Sequence, residues 1–152
     1  GKDITIISMS YLTLEALKAA KYLSDKYKVN VEVIDLRTIK PIDWQTIFKS
    51  IRKTKRLMVL DTGFINNSMA SEIIARVSIY NFKLLKSPPI RLAMPDIPEP
   101  TSISLTKDLY IRANVIAKNV LKSLKINHKD ISKDFDSEYP SDVPDSDFTG
   151  PF

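Results

Sequence analysis

The sequence predicts an α/β fold, a largely parallel sheet covered by helices on both faces. Short β-branched runs alternate along the chain with apolar stripes at helical spacing. Each stripe is long enough to serve as the crossover between two parallel strands, and such sheets are covered on both sides. At 152 residues the chain suits one domain around one core.

Asp3 to Ser8, carrying Ile4, Thr5, Ile6 and Ile7, has the composition and length of a buried strand. From Leu12 the apolar residues fall at Leu12, Ala16, Ala19, Ala20, Leu23 and Tyr27, the stripe of an amphipathic helix, with Ser10 placed to cap it. Val29 to Leu36 predicts a second strand. Asp43 is placed to cap a short helix, and Ile42 and Ile47 have the spacing of a hydrophobic staple. Trp44 is expected to pack in the core rather than to offer a stacking platform.

Arg56 to Leu60 predicts a third strand that ends in a loop at Asp61-Thr62-Gly63. Asn67 or Ser68 can cap the next helix, whose stripe is Ala70, Ile73, Ile74, Val77 and Leu84 and which Pro88-Pro89 stops. Ile90 to Ala93 reads as a fourth strand, and Pro95, Pro98 and Pro100 impose an extended linker. A last helix is expected from about Ile111 to Leu124, with Ala113, Ile116, Ala117, Val120 and Leu124 inward.

Residues 1–127 thus read as one folded unit, and residues 128–152 as an acidic tail rich in Pro, Ser and Asp. The charge divides in the same place. Residues 1–128 hold 21 Lys/Arg against 11 Asp/Glu, and residues 129–152 hold two Lys against seven Asp/Glu. A polar acidic segment alone cannot bury enough surface to order itself. Its aromatic residues Phe135, Tyr139, Phe148 and Phe152, with Gly150 and Pro151, are expected to anchor it on its own basic body or a partner's.

Composition excludes several chemistries. The absence of cysteine removes disulfides, thiolate metal sites and cysteine nucleophiles, and fits a reducing compartment. With Gly1, Gly63 and Gly150 the only glycines, no phosphate-cradling loop can be written. His128, the single histidine, has no companion for a metal site and is badly placed for a triad. The lysines are scattered rather than grouped with exposed aromatics, which predicts solvated helix faces instead of a nucleic-acid surface. The apolar runs are too short to span a bilayer, and residues 1–20 lack the pattern of a secretory signal. Gly1, directly before a strand, reads as a boundary within a longer polypeptide.

Two residues stand out at the ends of predicted strands. Asp61 lies where an α/β sheet opens its crevice. It either contacts a ligand or a neighbouring chain, or binds backbone donors of the loop around Gly63. Arg37 is expected to pair with a carboxylate or carbonyls of its own domain, with anion binding as the alternative.

Four blocks, in order, carry a family resemblance. They are Asp3-Ile4-Thr5-Ile6-Ile7-Ser8 with Leu14-Glu15-Ala16-Leu17-Lys18-Ala19-Ala20; the run Val31 to Asp43; Leu60-Asp61-Thr62-Gly63-Phe64 with Ala70-Ser71-Glu72-Ile73; and Pro95-Asp96-Ile97-Pro98-Glu99-Pro100-Thr101-Ser102 with Leu105 and Tyr110. Together they resemble the transketolase C-terminal domain, in the form found in beta subunits of thiamine-diphosphate-dependent 2-oxo acid dehydrogenases.

The resemblance implies a three-layer α/β/α domain around a five-strand, mixed, mostly parallel sheet, with residues 103–110 supplying the fifth strand. It also implies that thiamine diphosphate and Mg belong to other domains of the whole enzyme, an oxidoreductase that decarboxylates a 2-oxo acid and passes the acyl group to a lipoyl carrier. This domain would hold no catalytic, cofactor or metal residue and would be inactive alone. Its part would be oligomer assembly through Asp61, Thr62, Gly63, Phe64, Pro98, Glu99, Pro100 and Thr101. The implied partners are the alpha subunit, a second beta subunit and a lipoyl acyltransferase core, with no nucleic acid and no membrane. The implied compartment is the cytoplasm, or the mitochondrial matrix in a eukaryote.

Where many relatives carry glycines, this chain has Ile65-Asn66-Asn67-Ser68-Met69, of which Asn best tolerates left-handed backbone. Two alternatives share the fold: the C-terminal domain of a transketolase-type two-carbon transferase, and a stand-alone α/β interaction module.

Overall fold

The computed structural model describes residues 1–106, 109–135 and 142–150. Its central strand β1 (Ile4–Ser8) is buried at every position, as befits a β-branched run with a neighbour on each side. β1 pairs in parallel with β2 (Val31–Asp35) and with β3 (Leu57–Phe64), and β3 pairs in parallel with β4 (Ile90–Met94). The order is therefore β2-β1-β3-β4.

Alternating side chains send the sheet's two faces into two cores. Ile4, Ile6, Met58 and Leu60 meet α1 (Leu12–Tyr27) and α5 (Ala113–Ser123) through Leu12, Ala16, Ala19, Leu23, Ile116, Ala117 and Val120. On the other face Ile7, Leu57 and Val59 meet α2 (Trp44–Thr54) and α3 (Met69–Asn81) through Ile47, Ile51, Ala70, Ile73 and Val77. Thr5 on this face shares 2.7 Å hydrogen bonds with Ser50 and Thr54, so its buried hydroxyl is satisfied.

Several local expectations hold for their stated reasons. The Asp43 carboxylate accepts from the Thr46 N–H at 3.0 Å, and Ile42 packs on the core that contains Ile47. Ser68 caps α3 by accepting from the Ser71 N–H, while Asn67 takes the left-handed turn before it at φ 51°.

Other expectations are corrected. Among the described residues the sheet has four strands, all parallel, instead of five in a mixed arrangement. Within the stretch 103–110, α4 (Ile103–Thr106) forms in place of a strand, because the Ser102 carbonyl takes the Leu105 and Thr106 N–H groups locally. β3 does not end at Leu60; it runs through Asp61-Thr62-Gly63 to Phe64, which pairs with Met94 across an irregular register. Ser10 is no side-chain cap. It takes a left-handed φ of 54°, and its carbonyl accepts from the Thr13 N–H. α3 stops at Asn81, before the double proline, and a 3₁₀ turn at Phe82–Leu84 turns Leu84 outward and sends Leu85 to the core.

At the edge strand β2, the Glu32 carboxylate lies against Lys53. Burial opposes its ionisation, but hydrogen bonds, that from Lys53 foremost, prevail and hold its pKa below the usual carboxylate range. A depressed carboxylate stabilises the fold above its unfolded value and loses that contribution as the pH falls through its folded value. Glu32→Gln is thus expected to be less stable than the parent at neutral pH. The gap should close as the pH falls below the usual carboxylate range and through the lowered folded value, as read by urea unfolding at each pH.

Candidate functional site

Because all four strands run the same way, their carboxyl ends form one edge at Ser8, Asp35, Phe64 and Met94. Strand alternation puts Asp61 on the same face as Leu57 and Val59, toward α3, where it is only 6% exposed. One carboxylate oxygen accepts from the Gly63 N–H and the other from the Ala70 N–H, each at 2.9 Å. Ala70 stands in the first turn of α3, whose unpaired donors and dipole favour a negative group. Of the two readings open for Asp61, the backbone-binding one describes its carboxylate.

The end of β3 also ties the proline linker in place. The Ile65 N–H donates to the Met94 carbonyl at 2.7 Å, and the Asn66 amide donates to Asp96 at 2.7 Å. Glu99 accepts from the Tyr110 hydroxyl at 2.6 Å, a bond that raises the tyrosine's pKa. The residues just after segment 61–64 are thereby tied to Met94 and Asp96, at the start of the linker that carries segment 98–101. Phe64, Ile97, Ile103 and Leu105 all expose large apolar side chains there or in the adjoining α4. Asp61 itself is covered.

A second acid of this edge was not singled out from the sequence. Glu15 is 5% exposed on α1, accepting from the Ala113 N–H at 2.7 Å and from Arg112 at 3.0 Å. It joins the start of α1 to the start of α5. Its signal was legible: Glu15 falls three residues after Leu12 and four before Ala19, inside the apolar stripe, where a carboxylate needs a buried partner. Nothing local identifies Arg112 as that partner.

The described tail residues contact the outer side of α1 in sequence. Phe135 lies 4.4 Å from the Tyr22 ring, whose hydroxyl donates to Asp134 at 2.6 Å. Asp145 pairs with Lys18, which lowers its pKa, and Phe148 meets Tyr11 edge-on at 6.4 Å. Arg112 donates to the Val143 carbonyl, and Thr106 donates to Asp142 at 3.0 Å. Tyr139, Pro151 and Phe152 lie outside the described residues.

The remaining candidates sit apart. Arg37 pairs with Asp35, which also accepts from Thr13 at 3.0 Å, so it follows the intradomain reading. His128 lies beyond the far end of α5 against the Lys129 carbonyl. Trp44 packs on the α2–α3 core as expected, and it also carries the Arg76 guanidinium 4.3 Å from its ring centre. No helix among the described residues is long and apolar enough to cross a membrane.

A family model described as "Transketolase, C-terminal domain" matches residues 1–116. The chain belongs to the transketolase C-terminal domain family. As a member, it is 36% identical over 126 residues to "Pyruvate dehydrogenase E1 component subunit beta, mitochondrial" of Chaetomium thermophilum, covering 83% of this chain and 33% of that protein. It is 40% identical over 107 residues to the beta-1 subunit of the same name from Arabidopsis thaliana, covering 70% and 29%. The Rhizobium meliloti beta subunit is 38% identical over 107 residues, covering 70% and 23%. The chain thus spans a third or less of the length of these relatives. Among solved structures, a chain titled "Split gene transketolase, inactive beta4 tetramer" matches with a TM-score of 0.70 at 23% identity, covering 84% of this chain and 40% of that one. At that identity the transketolase C-terminal likeness concerns the fold alone.

Proposed function

We propose that this chain is the C-terminal domain of the beta subunit of a thiamine-diphosphate-dependent 2-oxo acid dehydrogenase, and that it serves assembly rather than chemistry. Residues 1–127 form the domain, and residues 128–152 are a tail whose described part, 128–135 and 142–150, lies on it. The observation that carries the assembly role is the joined carboxyl edge, where Phe64 and Ile97 stay exposed on backbone held by the Ile65–Met94 and Asn66–Asp96 bonds. Rigid backbone under exposed apolar side chains suits an interface, because little ordering remains to be done on association. Thr62, Gly63, Phe64, Pro98, Glu99, Pro100 and Thr101 contribute surface, and buried Asp61 holds the loop that presents them. The partners are the alpha subunit, a second beta subunit and a lipoyl acyltransferase core, in cytoplasm or mitochondrial matrix.

The acids of this edge do not fit a diphosphate-bound metal. Asp61 has both oxygens on backbone donors, Asp35 is held by Thr13 and Arg37, and Glu99 by Tyr110. Thiamine diphosphate and Mg are accordingly assigned to other parts of the whole enzyme. Two measurements test the reading. Calorimetric titration of the chain with thiamine diphosphate and Mg is expected to give no saturable heat, and binding at micromolar cofactor would overturn the assignment. Sedimentation of the chain with the alpha subunit is expected to show association that Phe64→Asp weakens. An unchanged association constant would remove the carboxyl edge from the interface.

A further inference from the structure

Running from the start of α2 toward the far ends of both helices, α2 and α3 present neighbouring ridges. Trp44 and Phe48, one turn apart on α2, stack with ring centres 5.9 Å apart. Arg76 and Tyr80, one turn apart on α3, lie over them, Arg76 on Trp44 and Tyr80 at 5.9 Å from Phe48. Past this ladder the chain turns apolar side chains to solvent. Ile79 is 75% exposed, Tyr80 71% and Phe82 75%, with Leu84 also exposed. Scattered apolar residues carry no message, but a contiguous group of this kind marks an interaction surface.

The same end is basic. Residues 44–60 and 73–95 contain no Asp or Glu. The Lys86 N–H donates to the Lys55 carbonyl at 2.9 Å, drawing the turn after α3 against the end of α2. Arg52, Lys55, Lys83 and Lys86 are thereby brought to the apolar group, and none has a carboxylate within 4.0 Å among the described residues. The expectation that lysines stand apart from exposed aromatics fails here, because the fold sets side by side two helices that the sequence separates.

We infer that this end of the α2–α3 face is a docking surface for an acidic protein segment that carries apolar side chains. An apolar centre with a charged surround is the anatomy of a protein interface; Glu72 pairs with Arg76 at 3.4 Å, but Arg52, Lys55, Lys83 and Lys86 leave an excess of positive charge that selects a negative partner. Single-stranded nucleic acid fits less well, since it stacks its bases on free aromatic faces. Here Arg76 covers the Trp44 ring, Phe48 sits between Trp44 and Tyr80, and Ile79 and Leu84 have no π face, which leaves Phe82 as the open ring rather than a run of them.

The test is a fluorescence-anisotropy titration of the full chain with a labelled peptide of alternating Glu and Leu. An all-Glu peptide, a Lys-for-Glu version and an oligouridylate serve as comparisons. The Glu–Leu peptide is expected to bind saturably and in a salt-sensitive way. The pair Ile79→Ser with Phe82→Ser should weaken it by about tenfold or more, as should Lys83→Glu with Lys86→Glu. Methyl shifts of Ile79 and Leu84 in the unsubstituted chain, followed during the same titration, keep the result independent of how well the variants fold. Absent saturation, equal affinity for the all-Glu peptide or the oligouridylate, unmoved methyl signals, or variants that bind like the parent would each overturn the inference.

Discussion

Glu15→Ala is expected to destabilise the domain by about 3 kcal/mol, the cost of breaking a buried ion pair by deleting one partner. The carboxylate bridges the Arg112 guanidinium and the Ala113 N–H from a site 5% exposed to solvent. Its removal leaves Arg112, itself 20% exposed, with less compensation, and a buried backbone donor with none. The bond from Arg112 to the Val143 carbonyl survives and keeps the loss at the lower end of the range. Glu15→Gln retains an oxygen for the Ala113 N–H but no charge for Arg112, and should lose roughly half as much. Urea unfolding reads both, with the slope unchanged if only the folded state is affected. A Glu15→Ala variant within about 0.5 kcal/mol of the parent, the range of ordinary surface changes, would show that this bridge does not hold α1 to α5.

Asp61→Ala is expected to cost about 2–3 kcal/mol, since two charge-assisted bonds to backbone N–H groups disappear and the Ala70 donor is left buried. Loss of a negative charge at the start of α3 adds to this in the same direction. Asp61→Asn should recover part of the loss through its one remaining acceptor. Hydrogen exchange makes the test local: the Ala70 amide should lose protection in the alanine variant well beyond the change in global stability. Were Asp61 held for a ligand or neighbouring chain, the isolated domain would tolerate alanine, and neither stability nor exchange would move.

The two predictions mark different depths of legibility. Asp61 could be singled out because it follows the apolar run Leu57-Met58-Val59-Leu60 and closely precedes Gly63, a pattern confined to a few neighbouring residues. The sequence left its role open between ligand and backbone, because the deciding partner, the Ala70 N–H, is supplied by the packing of α3 on β3. Glu15 was visible as an acid in an apolar stripe, but its partner lies 97 residues away. The fifth strand expected at 103–110 was misplaced for the converse reason. The family resemblance implied it, whereas a local turn takes the Leu105 and Thr106 N–H groups, and the Ile103 and Leu105 side chains face solvent.

The sequence by itself determined the alternation of strands and helices, the inward stripes, the cap at Asp43 and the membership in the transketolase C-terminal family. These properties reside in spacing and local chemistry, which act between residues a few positions apart. Only the tertiary structure decided that the sheet has four parallel strands among the described residues, that β3 runs on to Phe64, and that Glu15 meets Arg112. It also set the basic ends of α2 and α3 around exposed aromatics. Each of these depends on which surfaces meet once the chain has collapsed, and burial is a property of the assembled whole rather than of any segment.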